Sequence, residues 1–204
     1  MNSIKESTEF SLRERGSKFF GFLFSASSSS QFEQHLLELK NRYPDANHHC
    51  CAYRIYDESV QEYNSDDGEP PGTAGLPILN ALRSSDLVNI GCVVVRYFGG
   101  TKLGKPGLIE SYGDTARGCI QKTEIGHIEE FLKINISYHY PEEKEIQRIV
   151  RSYQLIEDSS SYQEHIEKMV LCPIDHSTVV LDTLQKLEYK HVTFESFGHT
   201  FVMK

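Results

Sequence analysis

The run from Val93 to Leu108, Val-Val-Val-Arg-Tyr-Phe-Gly-Gly-Thr-Lys-Leu-Gly-Lys-Pro-Gly-Leu, constrains this chain more than any other stretch. The unbroken apolar, β-branched character of Asn89 to Phe98 predicts a strand buried on both faces. It breaks on Gly99-Gly100 and gives way near Pro106 to apolar residues at helical spacing, so a strand, a tight loop and a helix follow one another. Proline suits the first helical turn, where its missing amide would be unbonded anyway. Four glycines, Gly99, Gly100, Gly104 and Gly107, leave backbone amides bare, and Arg96, Lys102 and Lys105 add positive charge with no acid before Glu110. By composition the loop is an anion cradle, built on the amides and dipole of a helix start.

The loop matches G-x-x-x-x-G-K, the front half of a nucleotide-binding P-loop, and departs from it at the next position. A P-loop requires Ser or Thr there to hold magnesium, and Pro106 offers neither hydroxyl nor amide. No convincing second strand ends in an aspartate to serve as the metal partner. A phosphate or RNA-backbone site that needs no metal survives this objection, beside a purely structural turn.

The remaining pattern is mixed. Residues 8 to 26 read as a hairpin around a charged turn. Ser30 and Glu33 stand at capping-box spacing before a helix from about Gln31 to Arg42. His48 to Tyr56 and Val60 to Tyr63 read as strands, Ser65 to Gly75 as loop, and Leu76 to Leu82 as a short helix with Thr73 as its cap. The helix after Pro106 carries a stripe of Leu108, Ile109, Tyr112, Ala116, Cys119 and Ile120, with Gly113 and Gly118 marking close approach. From about Gly126 the order is strand Phe131 to Tyr138, helix Pro141 to Tyr153, a hairpin over Leu155 to Pro173, a helix Asp175 to Leu187 capped by Asp175, and strand His191 to Val202. This β-α-β-β-α-β succession is the split βαβ of ferredoxin-like domains. The domain boundary therefore falls between residues 1–127 and 128–204.

Charge and cysteine content limit the function classes. A formal net charge of -8 argues against a broad electrostatic grip on nucleic acid, so any such contact is local and belongs to the less acidic first part. Five cysteines, with Cys50 and Cys51 adjacent, point to reduced thiols. No stretch is long and apolar enough for a membrane span, and the first residues lack the apolar core of a signal peptide, which predicts a cytoplasmic protein.

Two further groups of residues carry possible chemistry. On a strand, His48 shares a face with Cys50 and His49 with Cys51, enough for two metal ligands but not four, and a core strand with one buried histidine is the simpler account. No motif calls for a cofactor or a metal. Asp66, Asp67 and Glu69 can bind a divalent cation or act as acid and base, although Asp-Gly is also ordinary turn chemistry.

Taken together, Ser17-Lys18-Phe19, Pro44-Asp45-Ala46 with His48-His49-Cys50, Asp66-Asp67-Gly68-Glu69-Pro70 with Gly72-Thr73-Ala74-Gly75, and Val94-Val95-Arg96-Tyr97-Phe98-Gly99-Gly100 with Leu103-Gly104 resemble the YigZ and Impact proteins. The resemblance covers residues 1 to 125. It implies an α+β protein: an N-terminal domain with the fold of ribosomal protein S5 domain 2, a mixed sheet backed by helices, and a ferredoxin-like C-terminal domain resembling domain V of elongation factor G. It also implies RNA or the ribosome as partner, and a non-enzymatic role in translational regulation. In this reading Arg96, Gly99, Gly100, Lys102, Gly104 and Lys105 face phosphate across a cleft from the acidic loop, with His48 and Thr73 as further cleft residues. The alternative is a metal-dependent hydrolase of a phosphate-containing substrate, using Asp66, Asp67 and Glu69. Where the family has Leu-Gly-x-Gly-Gly-Leu, this chain has Leu103-Gly104-Lys105-Pro106-Gly107-Leu108, and the proline removes an amide and fixes a backbone angle.

Overall fold

In the computed structural model, which describes residues 1–57 and 59–203, a short strand β1 (Asn2–Ile4) precedes the hairpin of β2 (Thr8–Glu14) and β3 (Ser17–Ser25). Helix α1 (Ser29–Arg42), strands β4 (His48–Asp57) and β5 (Ser59–Ser65), helix α2 (Gly75–Ser84), strand β6 (Ile90–Tyr97), helix α3 (Gly104–Lys122) and the long strand β7 (Ile125–Tyr138) follow. Then come α4 (Glu143–Ser152), β8 (Ile156–Tyr162), β9 (Ile166–Pro173), α5 (Ser177–Gln185) and β10 (Thr193–Met203). The chain divides into two compact units, Met1–His127 and Ile128–Lys204.

In the first unit the sheet runs β2-β3-β6-β4-β5, with β6 at its centre. All four pairings are antiparallel, in place of the mixed sheet implied by the family resemblance. The period of two along β6 sends Cys92 and Val94 to one face, against α2 and α3, and Val93 and Val95 to the other, against α1. This is why β6 reads as a continuous apolar run: helices cover both of its sides. Ile78, Leu82, Tyr112, Ala116 and Cys119 fill the first layer, and Phe22, Phe24, Phe32 and Leu39 the second. Gly118 lets α3 close on β2, because a Cβ there would lie 2.5 Å from the Phe10 ring. At Gly113 the nearest atoms belong to Arg117 of the same helix, so that glycine marks no neighbouring element.

Helix starts differ most from the sequence reading. Helix α1 is capped by Ser28, whose hydroxyl accepts from the Gln31 amide at 3.2 Å, while the Gln31 side chain accepts from the Ser27 amide at 2.8 Å. The reciprocal cap thus sits two residues before the Ser30 and Glu33 pair. Helix α3 begins at Gly104, two residues before Pro106, and Ile109 points to solvent. A single 3₁₀ turn, Ile174–His176, precedes α5, and Asp175 makes no capping bond to it. The sequence pattern does not show β1 or the first residues of β7 as strands; they pair with each other from Asn2↔His127 to Ile4↔Ile125.

In the second unit the order along the sheet is β10-β7-β9-β8, again all antiparallel. Leu132, Ile134 and Ile136 of β7 alternate into a core with Ile146 and Ile149 of α4 and Val180 and Leu184 of α5. Lys168 of β9 is fully buried, with its ammonium 3.1 Å from Glu157 and 3.5 Å from Glu143. None of the helices is long and apolar enough to cross a membrane, among the described residues.

Candidate functional site

The motifs singled out above meet at one end of the first sheet, where β3 and β4 begin and β6 ends. The loop 66–74 has no regular hydrogen-bonding partner strand, so its backbone groups need side-chain acceptors. Asp66 supplies them: one carboxylate oxygen accepts from the amides of Ala74 and Gly75, each at 2.9 Å, and the other from Gly72 at 2.8 Å. Burial alone would raise the Asp66 pKa, but these three donors outweigh it and hold the carboxyl below its usual range. Asp66 rather than Thr73 therefore caps α2; the Thr73 hydroxyl instead donates to the Pro70 carbonyl at 2.7 Å. Asp67 and Gly68 both take positive φ, 41° and 87°, which turns the chain back on β4. There the Asp67 carboxylate accepts from the His49 amide at 2.6 Å, and its carbonyl lies 2.8 Å from His48 Nδ1. A carbonyl only accepts, so Nδ1 carries the proton and Nε2 turns toward Glu69, 3.8 Å away.

Cross-strand register places Phe19 and His48 on either side of Arg96. All three point to the α2 and α3 side of the sheet, where the arginine is buried at 5% exposure and Glu69 at 7%. The Arg96 guanidinium donates to Glu69 through Nη1 and to the Ser17 hydroxyl through Nη2 at 3.2 Å. Glu69 also accepts from the Tyr112 hydroxyl at 2.8 Å, so two donors satisfy the same buried carboxylate oxygen. The guanidinium lies over the rings of Phe19 and Phe98, 5.4 and 5.6 Å from their centroids. Its Nε has no hydrogen-bond partner among the described residues. Ser17 further accepts from the Gly99 amide at 3.2 Å, and a Cβ on Gly99 would fall 1.9 Å from the Gly16 carbonyl carbon, so only glycine fits where β6 ends against the β2-β3 turn.

A cavity of about 380 Å³ opens beside this network, walled by Arg96, Glu69, Phe98, Lys102 and Lys105. The pairing of Arg96 with Glu69 leaves Lys102 and Lys105 as its uncompensated charges, both exposed and without an ion pair among the described residues. Among the described residues no side chain caps α3, so the amides of Gly104 and Lys105 open its first turn toward the same space. Pro106 removes the third. Gly100 and Gly104, with φ of 86° and 71°, shape the loop between strand and helix.

A family model described as the Impact N-terminal domain matches residues 15–120, which contain the whole network from Ser17 to Tyr112. The chain belongs to the IMPACT family. Among its relatives, the IMPACT family member YvyE of Bacillus subtilis is 32% identical over 167 residues, 81% of this chain and 76% of that protein. YigZ of Escherichia coli is 49% identical over 77 residues, 37% of this chain and 38% of its own. A solved structure described only as a hypothetical protein superposes with a TM-score of 0.68 at 25% identity, covering 97% of both chains.

Within this IMPACT chain the structure brings Arg96, Glu69, His48, Lys102, Gly104 and Lys105 together and sets Thr73 apart in the loop's own bonding. Asp66 and Asp67 are engaged by backbone amides, and no three His, Cys, Asp or Glu side chains converge to hold a metal ion among the described residues. Cys50 and Cys51 are buried, and burial pushes the Cys51 thiol up to about 12. The sequence reading missed Ser17 and Tyr112 as members of the network. Tyr112 carried a signal: a tyrosine in an apolar stripe still needs a partner for its hydroxyl.

Proposed function

We propose that this IMPACT chain is a non-enzymatic RNA- or ribosome-associated protein acting in translational regulation, and that the cavity at the start of α3 is its phosphate contact. The observation that carries the reading is the charge balance there. The one carboxylate in the wall, Glu69, is held by Arg96 and Tyr112, while Lys102 and Lys105 stand free beside bare helix amides. Such a group suits a phosphodiester and needs no metal. It is also local, as a chain of net charge -8 requires.

The fold supports the same reading. The β-α-β-β-α-β order of the second unit is compatible with a ferredoxin-like domain, and the helices backing the first sheet with an S5-domain-2-like one, although its strands pair antiparallel throughout. The alternative hydrolase draws no support from the acidic loop, whose carboxylates already serve the loop, β4 and Arg96.

Titration of labelled RNA against increasing salt tests the proposal. Wild-type affinity should fall as salt rises, and replacing both Lys102 and Lys105 by alanine should weaken binding and flatten the slope by roughly two counterions. Binding that is absent at low salt, or indifferent to the double replacement, would overturn it.

A further inference from the structure

A second cavity, about 390 Å³, lies on the opposite face of the same sheet end, and four of the six residues around it are aromatic: Phe20, Tyr43, Tyr97 and Phe98. The other two are Gly16 and Lys18. Its origin is a mismatch of lengths. Helix α1, with 14 residues, spans about 21 Å, whereas the nine residues of β3 extend about 30 Å. The helix stops at Arg42 and leaves the ends of β3 and β6 uncovered, with Phe20 and Tyr97 on the bare face and Tyr43, the last cap of α1, at its border. Phe20 is stacked on Tyr43 at 13° between ring planes and meets Tyr97 edge-on at 86°.

Phe98 joins this cleft to the lysine cavity, since it lines both. It is 46% exposed, an unusual place for a phenylalanine, yet it is held: its amide donates to Asn47 Oδ1 at 2.7 Å and Arg96 lies over its ring. No carboxylate lines the aromatic cleft, and Lys18 there is exposed with no ion pair among the described residues.

We propose that this cleft stacks unpaired bases of a single-stranded RNA whose backbone runs past Phe98 onto Lys102 and Lys105. The inference rests on the phosphate-contact reading above and adds to it the class of RNA. Stacking on fixed aromatic rings beside a cationic track is the physical basis of sequence-tolerant single-strand binding, and a duplex, whose bases are already stacked on each other, cannot use it. A proline-rich peptide also favours aromatic grooves, but it has no use for three free lysines on the two sides of the shared residue.

The test compares a fluorescein-labelled 12-mer of oligouridylate with a duplex RNA of equal length, by anisotropy across a salt series. Wild type should bind the single strand more tightly. Phe98→Leu and Tyr97→Leu should each weaken that binding by about fivefold to a hundredfold, and Tyr97→Leu, at a residue that does not line the lysine cavity, should leave the salt slope and duplex binding alone. The exposure of Phe98 makes its variant safe for folding, and a circular dichroism melt checks both. Equal binding of both RNAs, indifferent to Phe98→Leu but weakened by replacing Lys102 and Lys105, would overturn the stacking cleft and leave the phosphate contact standing. Binding of neither RNA at low salt would overturn both readings. A proline-rich decapeptide that binds wild type but not Phe98→Leu, where RNA does not bind, would overturn this proposal in favour of a protein partner.

Discussion

Glu69→Gln isolates what the central network contributes to stability. Glutamine keeps the volume and a carbonyl that can still accept from Tyr112, so the change is mainly the loss of one charge. It leaves the buried Arg96 guanidinium charged, its Nε without a partner among the described residues, and facing a neutral amide oxygen, the Ser17 hydroxyl and two aromatic faces in place of a carboxylate. With the two side chains exposed by only 6% and 4%, solvent cannot replace the lost carboxylate. Removing one partner of such a pair costs about 3–5 kcal/mol, a large part of the roughly 5–15 kcal/mol that folded domains possess. In a unit of this size the loss should lower the melting temperature by roughly 10–20 °C, read by circular dichroism, with a parallel shift of the urea midpoint. The double variant Glu69→Gln with Arg96→Met should recover much of the loss, because it removes the stranded charge as well. A single-variant cost under about 1 kcal/mol, or no recovery in the double variant, would refute the account.

Asp66 makes a pH-dependent contribution of definite sign. Its carboxyl is held below the ordinary range, so the stabilisation is present above the unfolded-state value of about 3.9 and disappears as pH falls through the lower folded-state value. Asp66→Asn should therefore cost about 1–2 kcal/mol at pH 7, the scale of a lost helix cap, and the gap from wild type should close in urea melts toward pH 3; a gap independent of pH would contradict it. The thiols give a simpler test. All five cysteines are buried, with burial raising Cys51 to about 12 and Cys172 to about 11, so a thiol reagent at pH 8 should label none in the native protein and all five in urea. Rapid native labelling of Cys50 would show that the loop closed by Asp66 is open in solution.

How much of this was legible in the sequence depended on the range of the interactions. Strand β6 was readable because burial on both faces leaves an unambiguous apolar run, and the glycines after it because a sharp strand-to-helix turn admits little else. The cap of α2 was misplaced because its partner lies outside the local window: Asp66 reaches it from eight residues upstream, which no i to i+3 rule finds. The motif residues Glu69 and Arg96 were identified, but their pairing was not, since it depends on cross-strand register and on the return of a positive-φ loop. That pairing alters the meaning of the glycine stretch. Arg96 organises the end of the sheet, and the free positive charge lies on the two lysines beyond it.

The double duty of Phe98 has a thermodynamic corollary. Phe98 lines two cavities on opposite faces of a sheet, so any occupant that shifts this residue in one reshapes the other. Linkage then makes the influence mutual: the factor by which an occupant of the aromatic cleft changes affinity at the lysine cavity equals the factor in the reverse direction. Two short ligands offered together would measure that factor directly, and an RNA long enough to reach both would experience it as cooperativity within a single strand.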